Sequence, residues 1–227
     1  MPDCPTSELA TLDAILQRRH SCRAFLPRQV PDAVIRQILE AARQTASWCN
    51  AQPWQVIVTR GEATESFRRV YAQWAALHEA QPDHPFPAEY VGVYLQRRRE
   101  CGWRLYASVG IERGDREASA RQAARNFEFF GAPHVAIVTS HERLGVYGAI
   151  DCGAWVSNFM LAATAAGIGT IAQAALAAHP AVVRSHFALP PQRQVICGIA
   201  FGYEDTAHPA NSFRTDRAPL EETVAWR

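Results

Sequence analysis

Lysine is missing from the chain, and all 23 basic positions are arginine. That removes a P-loop lysine, a Schiff-base lysine and a lysine general base together. The six cysteines, at positions 4, 22, 49, 101, 152 and 197, form no C-x-x-C pair and keep no ligand-like spacing to histidine. With that scatter over 227 residues a disulfide framework is not expected, and neither is a metal site. Reduced intracellular thiols are the expected state. His141-Glu142 has no H-E-x-x-H partner and no G-x-S-x-G occurs, so zinc-protease and α/β-hydrolase chemistry lack their residues. Neither sign of charge dominates. The net charge of +1 argues against nucleic acid as an obligatory partner. Long hydrophobic runs are absent as well, which argues against a lipid span, and residues 1–8 are too polar and proline-broken for a secretory leader. A soluble, cytoplasmic protein without a membrane partner is expected.

What is present suits one well-buried domain over residues 1–227: 48% hydrophobic and 20% charged residues are ordinary globular composition. Ser7 can cap a helix that carries Leu9, Leu12, Ile15 and Leu16 on one face. Pro31-Asp32 opens a second helix, with Val34, Ile35, Ile38, Leu39 and Ala42 at helical spacing. Residues 55–59 (QVIVT), 134–139 (HVAIVT) and 195–201 (VICGIAF) read as strands, with a shorter extended piece at 170–173. Between the first two strands, residues 62–80 form a helix with Phe67, Val70, Trp74 and Leu77 on its buried side, and residues 115–130 form another.

Two regions are less regular. Pro82, Pro85 and Pro87 break the chain before a helix with aromatic and arginine faces. Residues 81–114 therefore read either as a lid or substrate-pocket wall or as an extra surface helix pair. Residues 203–227 are polar and proline-dotted, a tail that is loose or wrapped on another surface. Residues 147–166 are apolar nearly all round, and in a chain of this length a partner subunit is the favoured enclosure. Gly167-Ile168-Gly169-Thr170-Ile171-Ala172 matches G-x-G-x-x-A, but it follows a helix where the dinucleotide fingerprint follows a strand. Gly167 is more simply a helix C-cap.

The densest chemistry lies in residues 17–25, where Arg18, Arg19, His20, Ser21 and Arg23 crowd one helix end. Planar, permanently charged donors suit a phosphate and an electron-rich ring. A solvated basic helix end explains the stretch alone at least as well, because arginine there also satisfies the last carbonyls. The balance changes with Ser47-Trp48-Cys49-Asn50-Ala51-Gln52-Pro53-Trp54, one helix later.

Together, R-R-H-S-C-R-A-F and S-W-C-N-A-Q-P-W resemble the two leading motifs of the FMN-dependent nitroreductase family. The resemblance continues at Ala132-Pro133-His134, at Gly167-Ile168-Gly169 and at residues 211–220 (NSFRTDRAPL), so it runs in order over the chain except for 81–114. Ala46 and Ala172 depart from it, standing where many members have proline. It implies an α+β fold, with a mainly antiparallel central sheet flanked by helices, in a domain-swapped homodimer whose tails cross between subunits. It implies FMN as cofactor and NADH or NADPH as electron donor. The small-molecule acceptor would be a nitroaromatic, a quinone or a similar electron-poor compound, reduced by ping-pong hydride transfer.

Carried over position by position, Arg19 and Arg217, with Arg214 nearby, would grip the FMN phosphate, and His20 and Ser21 would line the same end. Arg23 would lie against the N1–C2=O edge of the ring, where positive charge favours the reduced form. Ser47, Trp48 and Asn50, supported by Gln52, would reach the flavin of the other subunit. The backbone at Ala172, Gln173 and Ala174 would face the ring near N5. Arg121, Arg125 and Asn126 are alternative ring contacts. The flavin carries the chemistry, so no catalytic side chain is assigned. An oxidase, dehalogenase or enone reductase on the same scaffold is the alternative, followed by a flavin-binding or interaction protein without turnover.

Overall fold

The computed structural model describes residues 6–227, with side chains from Glu8 onward, so the cap expected of Ser7 and the thiol of Cys4 lie outside the described residues. The helices are α1 (Thr6–Arg18), α2 (Asp32–Ala42), α3 (Glu62–Leu77), α4 (Gly92–Ser108), α5 (Arg116–Ala124), α6 (Gly145–Ala165) and α7 (Pro180–Phe187). The strands β1 (Gln55–Val58), β2 (His134–His141), β3 (Gly169–Gln173) and β4 (Arg193–Gly202) form one antiparallel sheet in the order β1-β2-β4-β3. This is the α+β architecture expected.

Helices cover both faces of the sheet, which explains why the central strands read as unbroken apolar runs. Along β2, Ala136 and Val138 join the core built on α2 and α6, with Ile35, Ile38, Trp155 and Phe159. Val135 and Ile137 face the opposite core, with Phe67 and Tyr71 of α3 and Val182 and Val183 of α7. Fully burying one such aliphatic side chain contributes about 1.5–3 kcal/mol, so the two cores make up the bulk of the stabilising surface.

Two helices differ from the sequence expectation. α3 buries Thr64, Phe67 and Tyr71, whereas Val70 and Leu77 are 38% and 81% exposed. The helix is rotated so that the Tyr71 hydroxyl donates to the carbonyl of Ala175 at 3.1 Å, which a valine face could not do. α5 stops at Ala124 instead of running to 130, because Phe129 and Phe130 take left-handed φ of 55° and 51°, which a helix cannot contain.

α6 ends in a Schellman motif: Gly167, at φ 74°, donates to the Thr164 carbonyl and Ile168 donates to that of Ala163. The glycine pattern there is a helix stop. The apolar helix itself buries Cys152, Trp155 and Phe159 and leaves Val146, Tyr147 and Ile150 more than half exposed. On α1, Leu9, Leu12 and Leu16 are likewise exposed.

The excursion 81–114 is pinned at its root. Gln81 donates to the Ala178 carbonyl, and the Asp83 carboxylate accepts from Arg184 at 2.8 Å and from the Val195 amide at 2.8 Å. Beyond it α4 buries none of its residues and lies over the scaffold. No helix among the described residues is long and apolar enough to cross a membrane.

Candidate cofactor cleft

The first motif is held at the outer edge of β3. The Cys22 amide donates to the Thr170 carbonyl at 2.9 Å, and Ser21 bridges Thr170 in parallel. From the far end of the sequence, Asn211 meets the same segment. Its Oδ1 accepts from the Arg23 amide at 2.7 Å, and its Nδ2 donates to the carbonyls of Ala24 and Asp205, both at 2.9 Å. Asn211 is 4% exposed and satisfied on three sides. It fastens the tail to the basic stretch and so brings Phe213, Arg214, Thr215 and Arg217 over it.

The result is a cavity of about 550 Å³ lined by Arg19, His20, Ser21, Arg23, Arg214 and Arg217, with Cys101 and Phe213 closing it. No carboxylate is among its lining residues. Burial and then the neighbouring Arg217 push the Arg19 guanidinium below its ordinary value, and burial does the same to Arg23. Arg23 donates to the Ser21 carbonyl at 3.2 Å and lies 5.6 Å from the Phe213 ring centre. His20 lines the wall with its nitrogens turned away, Nδ1 facing the Arg18 carbonyl at 3.0 Å and Nε2 facing Glu204 at 2.9 Å.

Ser21 and Arg23 also border a second cavity, of about 260 Å³, so the two cavities adjoin across these side chains. Its walls are Leu105, Tyr106, Gln122, Asn126 and Phe130, with the β3 end at Ala172, Gln173 and Ala174. That end can turn sharply because Gln173 pairs with Gly198. A Cβ on Gly198 would come within 2.4 Å of Leu176. Gln173 donates through Nε2 to the Asn126 backbone and side-chain oxygens at 2.9 and 3.2 Å. Gln173 Oε1 and Gln122 Nε2 are buried with no partner within the described residues. Left unpaired, each buried polar atom would cost about 1–3 kcal/mol, so a water or a ligand group is expected to meet it.

Of the three alternatives on this side, Asn126 enters the cleft. Arg121 pairs with Glu117 on an exposed face, and Arg125 borders a separate surface hollow with Glu65 and Arg68. Sequence reasoning passed over Gln122 and gave Asn211 no role. The only signal for Asn211 was its place at the head of the last motif.

The second motif does not join the first. Trp48 is 61% exposed, and Ser47, Asn50 and Gln52 line neither cavity. Cys49, Asn50 and Gln52 take left-handed φ of 52°, 54° and 46°. The loop is nevertheless fixed. The Gln52 amide donates to Ser47 Oγ at 2.9 Å, the Trp48 amide to Asp151 at 3.1 Å, and Asn158 of α6 to Thr45 at 2.8 Å. Trp48 packs edge-on to Tyr147 at 4.5 Å. Asp151 is thus a structural hydrogen-bonding group.

A cleft with Arg19, Arg214 and Arg217 at one end, Arg23 between its two halves and unpaired amide groups at the other end suits a ligand with a phosphate and a polar planar edge. FMN has both. The pattern of the Nitroreductase family matches residues 16–203. The 4-nitrobenzoate reductase of Nocardioides sp. (strain LMS-CY) is 34% identical over 224 residues, 96% of this chain and 90% of that protein. The nitrobenzene nitroreductase of Ectopseudomonas oleovorans is 33% identical over 225 residues, 98% of each. The crystal structure of the FMN-dependent nitroreductase NfnB from Mycobacterium smegmatis in complex with NADPH superposes with a TM-score of 0.91 at 32% identity, over 96% of this chain and 99% of that one. The ordered motifs, the antiparallel sheet and the arginine-lined cleft have one common explanation: the chain belongs to the nitroreductase family.

Proposed function

We propose that the chain is an FMN-dependent NAD(P)H oxidoreductase that reduces nitroaromatics, quinones or similar electron-poor acceptors, working in the cytoplasm as a homodimer. The observation that carries this is the cleft of two adjoining cavities, with its arginine cluster at one end and buried unpaired amides at the other. FMN, when bound, supplies the redox chemistry, receiving a hydride from NADH or NADPH and passing reducing equivalents to the acceptor.

The side chains bind and tune. Arg19, Arg214 and Arg217 grip the phosphate through charge-assisted hydrogen bonds, with Ser21 beside them. His20 shapes that end while its own nitrogens hold Arg18 and Glu204. Arg23 would hold a desolvated positive charge at the N1–C2=O edge of a bound FMN, where it is worth more than in water. The β3 end at Ala172, Gln173 and Ala174 would face the ring of a bound FMN, and Asn126 and Gln122 would complete that wall. No side chain is required as an acid or base.

Ser47, Trp48, Asn50 and Gln52 serve the cleft of the partner subunit. Dimerisation covers the exposed apolar side chains Leu9, Leu12 and Leu16 on α1 and Val146, Tyr147 and Ile150 on α6. The last residues of the tail, with Val224 and the 83% exposed Trp226, cross to the partner. Residues 81–114, through Leu105 and Tyr106, wall the acceptor pocket and set its selectivity.

The test is direct. Purified protein should be yellow, should release FMN and not FAD on denaturation, and should bleach on anaerobic addition of NADH or NADPH. It should then turn over a nitroarene. A colourless protein that takes up no FMN overturns the reading. Oxygen-dependent loss of a metabolite without nitroarene turnover moves it to the oxidase alternative.

A further inference from the structure

Arg104 of α4 has no part in the family resemblance and does not line the arginine-rich cavity. It stands where α4 meets the tail. Its Nη1 donates to the Arg214 carbonyl at 3.1 Å, and its Nη2 donates to Glu100 at 2.9 Å and to the Asp216 carboxylate. The two tail contacts bracket Thr215, between the two arginines whose guanidiniums enter the cleft. Those arginines are otherwise held through main chain and a hydroxyl. Arg214 donates to the carbonyls of Asn211 and Phe213, and Arg217 to Thr215 and to the Asp216 carbonyl. Their position therefore depends on the path of the backbone from 211 to 217. Asn211 fixes one end of that path, and Arg104 fixes the other.

We propose that Arg104 is a positioning residue for the phosphate grip, clamping the 214–216 backbone against α4 so that Arg214 and Arg217 converge on one point. This rests on the reading that the cleft takes FMN. A planar guanidinium reaches the three acceptors together, which a compact ammonium cannot do with the same geometry. Arg104 also occupies the Asp216 carboxylate. Without it, that carboxylate stands one residue from Arg217, free to compete with the phosphate for the same cation. The clamp joins the two ends of the cleft, because the same helix supplies Cys101 to the arginine-rich half and Leu105 and Tyr106 to the other. α4 is then a support of the phosphate end as well as a wall for the acceptor.

Riboflavin, which is FMN without the phosphate, separates positioning from general scaffolding. The full-length chain is stripped of flavin and titrated with FMN and with riboflavin, as wild type and as Arg104→Ala and Arg104→Lys. The contacts are partly solvent-exposed, so Arg104→Ala should weaken FMN by about three- to tenfold, and Arg104→Lys by less. Riboflavin affinity should stay at the wild-type value in both. Unchanged FMN affinity in Arg104→Ala, or parallel loss of riboflavin, overturns the proposal. If Arg104→Ala does not fold, the Lys variant decides by the same comparison. Wild-type protein that binds no FMN sinks the functional reading instead, independently of Arg104.

Discussion

The two motifs that open the family resemblance meet different fates in the folded chain. Residues 19–23 are hydrogen-bonded to β3 and stapled by Asn211, and they build a cleft with the chain's own tail. Residues 47–52 are just as firmly fixed, on α6, yet they face outward and touch neither half of that cleft. Rigidity without a local ligand points to a surface shaped for another molecule. Three left-handed non-glycine residues in one short loop, each costing about 1–3 kcal/mol, belong where the strain serves a site. On the proposed reading, a single chain holds one half of two different sites.

Mixing subunits gives the largest effect and the sharpest test of this division. Arg217→Ala and Asn50→Ala homodimers should each be impaired at both of their sites. Mixed dimers carry one site with both defects and one with none. If the loop acts across the interface, an equal mixture that pairs at random should regain FMN binding at about a quarter of all sites, one in each mixed dimer, read by titration of refolded mixtures. No restoration would place Asn50 and Arg217 of one chain in the same site, or Asn50 in none.

Next in size is Arg217→Ala alone. A hydrogen bond to a charged group is worth roughly 1.5–3 kcal/mol, so FMN should bind about ten- to a hundredfold more weakly. Excess FMN should restore most of the activity. Arg23→Ala should behave differently at the other end of the cleft. It should retain flavin, but the flavin potential should fall and reduction by NAD(P)H should slow by about tenfold. Stopped-flow reduction with bound FMN checks this, and a normal rate and potential would remove Arg23 from the ring edge.

The smallest effect lies away from both motifs. His134 is 1% exposed; its Nε2 accepts from the Val30 amide at 2.9 Å and its Nδ1 faces the Thr59 carbonyl at 3.1 Å. Burial lowers its pKa below the ordinary value near 6.5. The unfolded chain therefore takes up a proton first as the pH falls. The stability due to neutral His134 is complete above pH 6.5 and declines below it. Thermal unfolding should show this acid limb, and His134→Gln should flatten it while leaving FMN affinity near wild type.

The strands were legible because both faces of the sheet are covered, so residues 56–58, 135–138 and 195–201 form apolar runs without a charged or polar side chain. The helix faces were less so. On α3 the hydropathy of Val70 and Leu77 suggested one face, while packing against the 174–177 turn selected Tyr71, whose polar tip has a partner there. Nothing in the local pattern marks Phe129 and Phe130 for left-handed φ, so the end of α5 could not be read. Within the cleft, the arginines were legible as charge that has no use in a core. Gln122 and Asn211 were not, because an amide declares itself only through its partners, or their absence.

The staple at Asn211 has a consequence for biosynthesis. It joins residues 23–24 to a side chain 187–188 positions later, so the anion pocket cannot close until both segments have been made. A phosphate-bearing cofactor can therefore be gripped only after residues 211–217 have been made and docked. A product truncated before Asn211 would retain most of the buried core and emerge as a colourless, flavin-free protein.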